Sequence, residues 1–433
     1  MTNEVTTVAA PGLVPGFDET LFGEVNGGDS SAFVRGKREE AFQAYATIPM
    51  PQKTDAEWRR TDPGAFPFSR FRRLPDLMPL AVAPTGPWDD RFDVVVSVSD
   101  VGYAVLDRTR RLEKGDLVVT GLRDAAEKGK LRPEQLHAGR SKFLALNSAF
   151  WNLGLVINVA DKVELEKGIL IRYRHEAGGR IFLPRVVVVA GSESRFTLME
   201  LLSSAGDAEF MTVGAREFHL GAAAGVKIVT LQEWGESTYS ITNDWAVLER
   251  DARIDWTTLN FGSRICKSHF GSDVAGAGAS AELGGLFFGS GDQHLDQSTV
   301  QVHSAPNTYS NLLYKGAVKD RAYSIYRGMI EAKPAAQKID AYQNNNNLVL
   351  SNGARADSIP GLEIEANDLR CTHGATVGHL DPEQIFYLRS RGLSEVEARK
   401  MVIGGFFESV VERIPYEFVR EEVRRRIEGK IGA

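Results

Sequence analysis

The sequence has two cysteines in 433 residues, Cys266 and Cys371, and no Cys-x-x-Cys pair. That excludes a zinc ribbon and a self-contained ferredoxin-type iron–sulfur site. Two unpaired thiols suit a reducing compartment. No apolar run approaches the ~20 residues needed to span a bilayer; a representative one, Val186 to Ala190, is short and β-branched. Residues 1–20 lack a basic n-region, an apolar h-region and any arginine, so they read as neither a signal nor a transit peptide. The expected location is the cytoplasm, with no membrane partner. A cationic surplus is missing too: 51 Lys+Arg against 57 Asp+Glu leave a net charge of −6, the wrong sign for a nucleic-acid binder. No G-x-x-x-x-G-K-[ST] loop and no G-x-S-x-G element occurs. The chain is therefore expected to have no ATPase activity of its own and no self-sufficient catalytic constellation.

What is present changes in texture along the chain. Residues 1–152 read as a mostly helical domain. Its Gly- and Pro-punctuated opening, up to Gly28, is expected to be mobile. Ser31 to Ala46 has helical spacing, Ile48 to Pro51 is a connector, Asp55 to Thr61 is a short helix by propensity, and Pro133 to Phe150 is a further helix. Residues 153–380 contain recurrent short runs rich in Val, Ile, Thr and aromatics, such as Ile169 to Tyr173, Arg195 to Leu201, Val226 to Leu231 and Ala322 to Ile330. Hairpin dipeptides between them are rare; Asn352-Gly353 cannot serve many strands. A sandwich needs hairpins or Greek-key loops, and a doubly wound sheet needs crossover helices. A parallel β-helix needs neither, because each coil passes directly into the next. Gln343 to Asn347 fits an amide ladder between coils, although no strict hexapeptide or nonapeptide period runs through the region.

Residues 381–433 turn helical again. Asp381-Pro382 is an N-cap and N1 pair, and Ser394 to Glu397 is a capping box. Ala398, Val402, Phe406 and Val410 then form one apolar stripe, and Val419, Val423 and Ile427 mark a last amphipathic helix. A small helical domain with a wide apolar face reads as a partner-docking module.

Two segments are dense in chemistry-bearing side chains. In the first, His294, Asp296 and His303 could ligate a metal if they converged. Strand positions nine apart need not converge, and the favoured reading makes them hydrogen-bonding residues of the coils. In the second, Cys371 and His373 stand two apart and share a face on a strand. A thiolate and an imidazole on one face suit a borderline metal or a nucleophile–base pair; the alternative is a packed thiol beside an interface histidine.

Strung together, these pieces form a recognisable order. His294-x-Asp296-x-x-Thr299-x-x-x-His303-x-x-Pro306 is followed by Lys315-Gly316 and Asp320-Arg321-Ala322. Gln343, Asn347-Leu348, Cys371-x-His373-Gly374-Ala375-Thr376-x-Gly378 and Phe386 to Gly392 come next. This string resembles the SufB/SufD family of iron–sulfur cluster assembly proteins, densely over residues 290–415. Glu57-Trp58-Arg59-Arg60-Thr61 is similar to an element of the family's N-terminal domain. Two departures resemble the SufD branch rather than the SufB branch. Ala354 falls near the position where the SufB branch carries a cysteine, and His373-Gly374-Ala375-Thr376 stands where that branch reads H-E-A-T.

The resemblance implies a mainly β fold, with a right-handed parallel β-helix core flanked by N-terminal and C-terminal helical domains. It implies a scaffold without catalysis that supports iron entry and nascent cluster formation. A SufB-like subunit would pair with its β-helix, and a SufC ATPase would bind its C-terminal domain, for which Arg391, Val402 and Phe406 are the candidate contacts. His373 and Cys371 become candidate ligands of a transient iron or nascent iron–sulfur cluster at the subunit interface, with none expected on the isolated chain. Two alternatives stand beside this: a homodimeric scaffold, or a β-helix enzyme such as a polysaccharide lyase. An acyltransferase would need the hexapeptide repeat that is absent.

Overall fold

A computed structural model describes residues 12–129, 131, 135–136, 139, 141–205 and 208–432. Its centre is a parallel β-solenoid made of two facing sheets. The first sheet runs β5 (Leu117–Gly121), β6 (Leu153–Val159), β9 (Pro184–Ala190), β11 (Phe210–Leu220), β13 (Thr238–Leu248), β15 (Ile265–Val274), β17 (His294–His303), β19 (Tyr323–Ala332) and β21 (Arg355–Ile364). The short strands β1 (Arg72–Arg73) and β8 (Arg180–Phe182) join it from the side. The second sheet runs β2 (Met78–Pro79), β4 (Gly102–Asp107), β3 (Val94–Ser99), β7 (Ile169–His175), β10 (Arg195–Ser204), β12 (Gly225–Glu233), β14 (Arg253–Asn260), β16 (Ser280–Gly289), β18 (Tyr309–Val318), β20 (Asp340–Val349) and β22 (Arg370–Gly378).

The register explains why no short period is visible in the sequence. Arg195, Gly225, Arg253, Ser280, Tyr309, Asp340 and Arg370 are successive partners, so one coil takes 27 to 31 residues. One corner recurs in each of these coils with a left-handed residue: Lys162, Glu193, Ala223, Asp251, Gly278, Asn307 and Lys338 all have φ between 57° and 76°. Six of the seven are not glycine. The conformation costs a non-glycine residue free energy, and coil-to-coil bonding offsets it. The N–H of Glu193 donates to the Ala222 carbonyl, that of Ala223 to Arg250, that of Asp251 to Ala277 and that of Asn307 to Gln337, each at 2.8–3.1 Å. A corner specified by the neighbouring coil has no need of an Asn-Gly signature.

The two ends of the solenoid differ. At the N-terminal end β5 pairs antiparallel with β6, and β4 pairs antiparallel with β3. Leu74, Leu77, Tyr103 and Leu117 plug the interior there, all buried. The reading of residues 1–152 as mostly helical therefore misses β3 to β5; Val94 to Val98 and Val118 to Thr120 are rich in β-branched residues and complete the first coil instead. Helices α1 (Glu19–Gly27) and α2 (Ala32–Thr47) precede these strands, and α3 (Leu122–Glu127) and α4 (Lys142–Phe150) lie between β5 and β6. Tyr45, Phe42, Phe17 and Phe150 gather into an aromatic cluster against the outer face of the first sheet at Met211, Val213 and Ile241. Residues 1–11 and much of the stretch from Pro133 lie outside the described residues, so the expectations there concern only α1 and α4. The region up to Gly28 is not uniformly loose: Val14 and Phe17 are buried, and the Tyr45 hydroxyl accepts from the Val14 N–H at 2.6 Å.

At the C-terminal end, helices α5 (Pro382–Ser390), α6 (Glu395–Val411) and α7 (Glu417–Gly432) fold back along the outer face of the second sheet, packing on β16 and β18. Their caps follow the sequence: Asp381 accepts from Glu383 N–H, and Ser394 and Glu397 form a capping box. The buried stripe of α6 is Ala398, Ile403, Phe407, Val410 and Val411. It is rotated by one residue from the expected stripe through Val402 and Phe406. The reason is that Ile403 and Phe407 meet β-sheet residues such as Phe288, 6.1 Å from Phe407 between ring centroids.

Candidate functional site

Because the C-terminal helices pack sideways, the last coil carries no cover among the described residues. Residues directly opposite in a parallel ladder share a face. Ala341, Gln343, Asn345 and Asn347 point into the solenoid, and they pair with Cys371, His373, Ala375 and Val377 of β22. On β21, Ser358, Pro360, Leu362 and Ile364 are likewise inward, opposite Tyr326, Gly328, Ile330 and Ala332. These inward positions would be core if another coil followed. Instead Leu362 is 38%, Ile364 40% and Val377 48% exposed. Among the described residues, β21 and β22 each have one paired side and one free edge. Pro360, which lacks an N–H, is compatible with an edge strand. The Gln343 to Asn347 run does not form the expected amide ladder. Its inward members pair with Leu312, Tyr314 and Gly316 on one side and His373, Ala375 and Val377 on the other, and Asn347 instead donates to Asn345 along its own strand at 2.6 Å.

Cys371 and His373 lie on this open inner face. Cys371 packs against Ile330, Ala332, Ile339 and Ala341. Burial, and secondarily the Asp340 carboxylate, pushes its thiol up to about 11, so it is protonated near neutral pH and a poor nucleophile. His373 is exposed, and no hydrogen bond or ion pair to a described residue holds its ring. Among the described residues no group of three or more His, Cys, Asp or Glu side chains could hold a metal ion. Two donors on one strand leave at least two tetrahedral positions to be filled from elsewhere.

The other dense segment divides in two. His303 is fully buried, with Nδ1 2.7 Å from the Thr308 hydroxyl and Nε2 2.8 Å from that of Ser310. Burial brings it down to about 4, a neutral and satisfied imidazole. His294 stands at the other end of β17, about 30 Å away by strand rise, so the three side chains do not converge. His294 Nε2 lies 2.9 Å from the Thr61 hydroxyl. That hydroxyl donates its one proton to Asp296, which also accepts from Lys267 Nζ at 2.7 Å, so the imidazole Nε2 is the donor to Thr61. The Asp55 to Thr61 segment is not the expected helix. It is a run of turns, with Trp58 N–H bonded to Asp55 and Thr61 N–H to Trp58. Its Ala56 and Glu57 carbonyls are taken by Arg327 and Lys267 at 2.6 and 3.0 Å. Nothing in local spacing announced that the Thr61 and His294 motifs touch across 233 positions.

On the C-terminal helices, Phe406 is half-buried, with the Lys315 ammonium 4.8 Å from its ring centroid and donating to its carbonyl at 2.6 Å. Val402 is half-buried beside it. Arg391 is exposed at the C-cap of α5, 5.2 Å from the Tyr387 ring. The apolar residues turned to solvent are others: Phe386, Tyr387, Val396 and Met401, from 55% to 74% exposed. No helix among the described residues is long and apolar enough to cross a membrane.

A family model described as SUF system FeS cluster assembly, SufBD core domain, matches residues 173–406. An iron–sulfur cluster assembly SufBD family protein of Mycobacterium leprae is 35% identical over 223 residues, 50% of this chain and 57% of that protein. The Mycobacterium tuberculosis relative is also 35% identical over 223 residues, covering 56% of its length. A SufBD family protein of Staphylococcus epidermidis is 28% identical over 303 residues, 68% of this chain and 64% of its own. The chain spans between about half and two thirds of the length of these curated relatives. It belongs to the SufBD family of iron–sulfur cluster assembly proteins.

Proposed function

We propose that this SufBD-family chain is a SufD-type scaffold subunit, and that its open solenoid end is where assembly takes place. The observation that carries this is the uncovered last coil, which presents exposed core-type side chains, two unpaired strand edges and an unengaged His373 on a single face. Free edges of this kind template pairing with another strand. A second β-solenoid, of a SufB-like subunit, would supply the missing coil and bury Leu362, Ile364 and Val377. Iron or a nascent cluster is then cargo held between the two chains. His373 offers an imidazole, and the partner offers the remaining donors, thiolate among them. Imidazole and thiolate together suit Fe(II), and ligation is lost when the imidazole is protonated. Cys371 is a secondary ligand at most, since its thiol must first lose a tightly held proton. The chain supplies no nucleotide-hydrolysing loop, so hydrolysis falls to a SufC-type ATPase docked on the exposed Phe386, Tyr387, Val396 and Met401 surface, with Arg391 at its rim. The setting is the cytoplasm.

The test is one reconstitution with SufB- and SufC-type partners, read first as complex mass and then as iron–sulfur content. The expected result for His373→Ala is an intact complex with little or no cluster. A normal cluster yield removes His373 from the metal, and loss of the complex makes it an interface residue only. In the same assay Phe386→Ala with Met401→Ala should release the ATPase and leave the solenoid pairing in place. A homodimer, the second reading, would appear as a doubled mass without the SufB-type chain.

A further inference from the structure

One short N-terminal segment, Ala56 to Thr61, crosses the outer face of the four sheet strands nearest the open end. Lys267 on β15 donates to the Glu57 carbonyl at 3.0 Å, and its ammonium lies 4.7 Å from the Trp58 ring centroid. His294 and Asp296 on β17 hold the Thr61 hydroxyl. Arg327 on β19 donates to the Ala56 carbonyl at 2.6 Å. The last contact reaches the edge strand itself: Arg60 Nε donates to Asp357 on β21 at 2.5 Å. Asp357 also accepts from the Tyr323 hydroxyl at 2.9 Å and from Arg355 at 3.0 Å. Burial alone would raise its carboxyl, but the bonds from Arg355, Arg60 and Tyr323 outweigh that and hold it below its ordinary range. Ile325, whose side chain points outward on β19, is completely buried, as expected of a residue beneath a strap.

We infer that Arg60 and Thr61 are positioning residues for the open end: they clasp β21 from outside and keep it in register while its other edge is unpaired. A strand paired on one side frays, and docking to a frayed strand carries the cost of ordering it. A clasp anchored two strands back, on β17, removes that cost in advance. Arg60 and Asp357 are 33% and 15% exposed at the side chain. This is a charge-assisted contact shielded enough to matter more than a solvent-exposed ion pair. The clasp comes from the N-terminal region, 297 positions away in sequence. Order at the docking edge therefore depends on the opposite end of the chain.

The inference rests on the docking reading only for its last step. The direct measurement is hydrogen exchange on the full chain. In Arg60→Ala the β21 amides from Arg355 to Ile364 should exchange about tenfold faster while those of β13 and β15 are unchanged. Arg60→Lys, which keeps the charge and loses the fork, should fall between. The charge swap Arg60→Asp with Asp357→Arg should recover part of the protection. In Arg60→Ala, association with a second copy of the chain, or with a SufB-type chain, should weaken about tenfold at an unchanged Tm. Unaltered β21 exchange in Arg60→Ala overturns the clasp. Faster β21 exchange with undiminished association overturns the positioning role and leaves a structural staple. If the unmodified chain associates with neither probe, the docking reading fails, and the exchange result alone judges the clasp.

Discussion

The first and last coils of the solenoid are built from the same two-sheet geometry and end in opposite ways. At the first coil the inward positions are apolar, and antiparallel strands close over them with Leu74, Leu77, Tyr103 and Leu117 as the plug. Towards the last coil the interior turns polar: Gln301, His303, Ser310, Gln343, Asn345 and Asn347 are all buried. The final inward residues, Leu362, Ile364 and Val377, then lie open. An apolar interior sealed by its own chain is a folding core. A polar interior leading to an unsealed apolar rim is a surface waiting for the next coil. The same chain thus spends one end on stability and keeps the other for association.

Breaking the closed end should cost most. Leu155 on β6 is fully buried in the first-coil interior. Leu155→Ala should lower the unfolding free energy by roughly 2–5 kcal/mol, whereas Val377→Ala at the open end should cost under about 1 kcal/mol. Urea denaturation of the isolated chain measures both, and equal costs would erase the distinction between the ends.

The polar interior predicts an acid response of the next size. His303 is neutral when folded and titrates at about 4, whereas unfolded it binds a proton below about 6.5. A depressed histidine makes the unfolded state the better proton acceptor between those values. Stability is therefore complete above about pH 6.5 and falls as pH drops towards 4, by on the order of 3 kcal/mol. His303→Gln should flatten that slope in a pH series of thermal melts; an unchanged slope assigns the acid sensitivity to other groups.

The open rim sharpens the comparison with the smallest effect on folding. Leu362→Lys with Val377→Lys should leave the Tm within about 2 °C, because neither side chain is buried in the single chain. It should weaken association at least about tenfold. Sedimentation across a concentration series decides it; undiminished association moves the interface elsewhere.

How much of this was legible beforehand depends on whether a feature is local. Helix starts are local, and Asp381 and the Ser394–Glu397 box cap helices as their spacing demanded. The pairing of Cys371 and His373 on one face follows from strand period alone. The α6 stripe missed by one residue, since Phe406 and Phe407 are equally apolar and only the sheet beneath chooses between them. The helix expected over Asp55 to Thr61 failed because its Ala56 and Glu57 carbonyls are drawn to Arg327 and Lys267 on other coils. The coil corners left no turn signature, because residues such as Glu193 and Ala223 are held left-handed by bonds to the next coil.

By itself the sequence determined that strands recur without hairpins or crossover helices, that helices flank them, and that Cys371 and His373 stand together. Those follow from composition and from periods of 2.0 and 3.6, which every segment carries within itself. Tertiary structure decided which end is sealed, which apolar residues are left bare, and that Arg60 and Thr61 reach Asp357 and His294. Those depend on register and packing between segments up to 297 positions apart, and no local spacing encodes them.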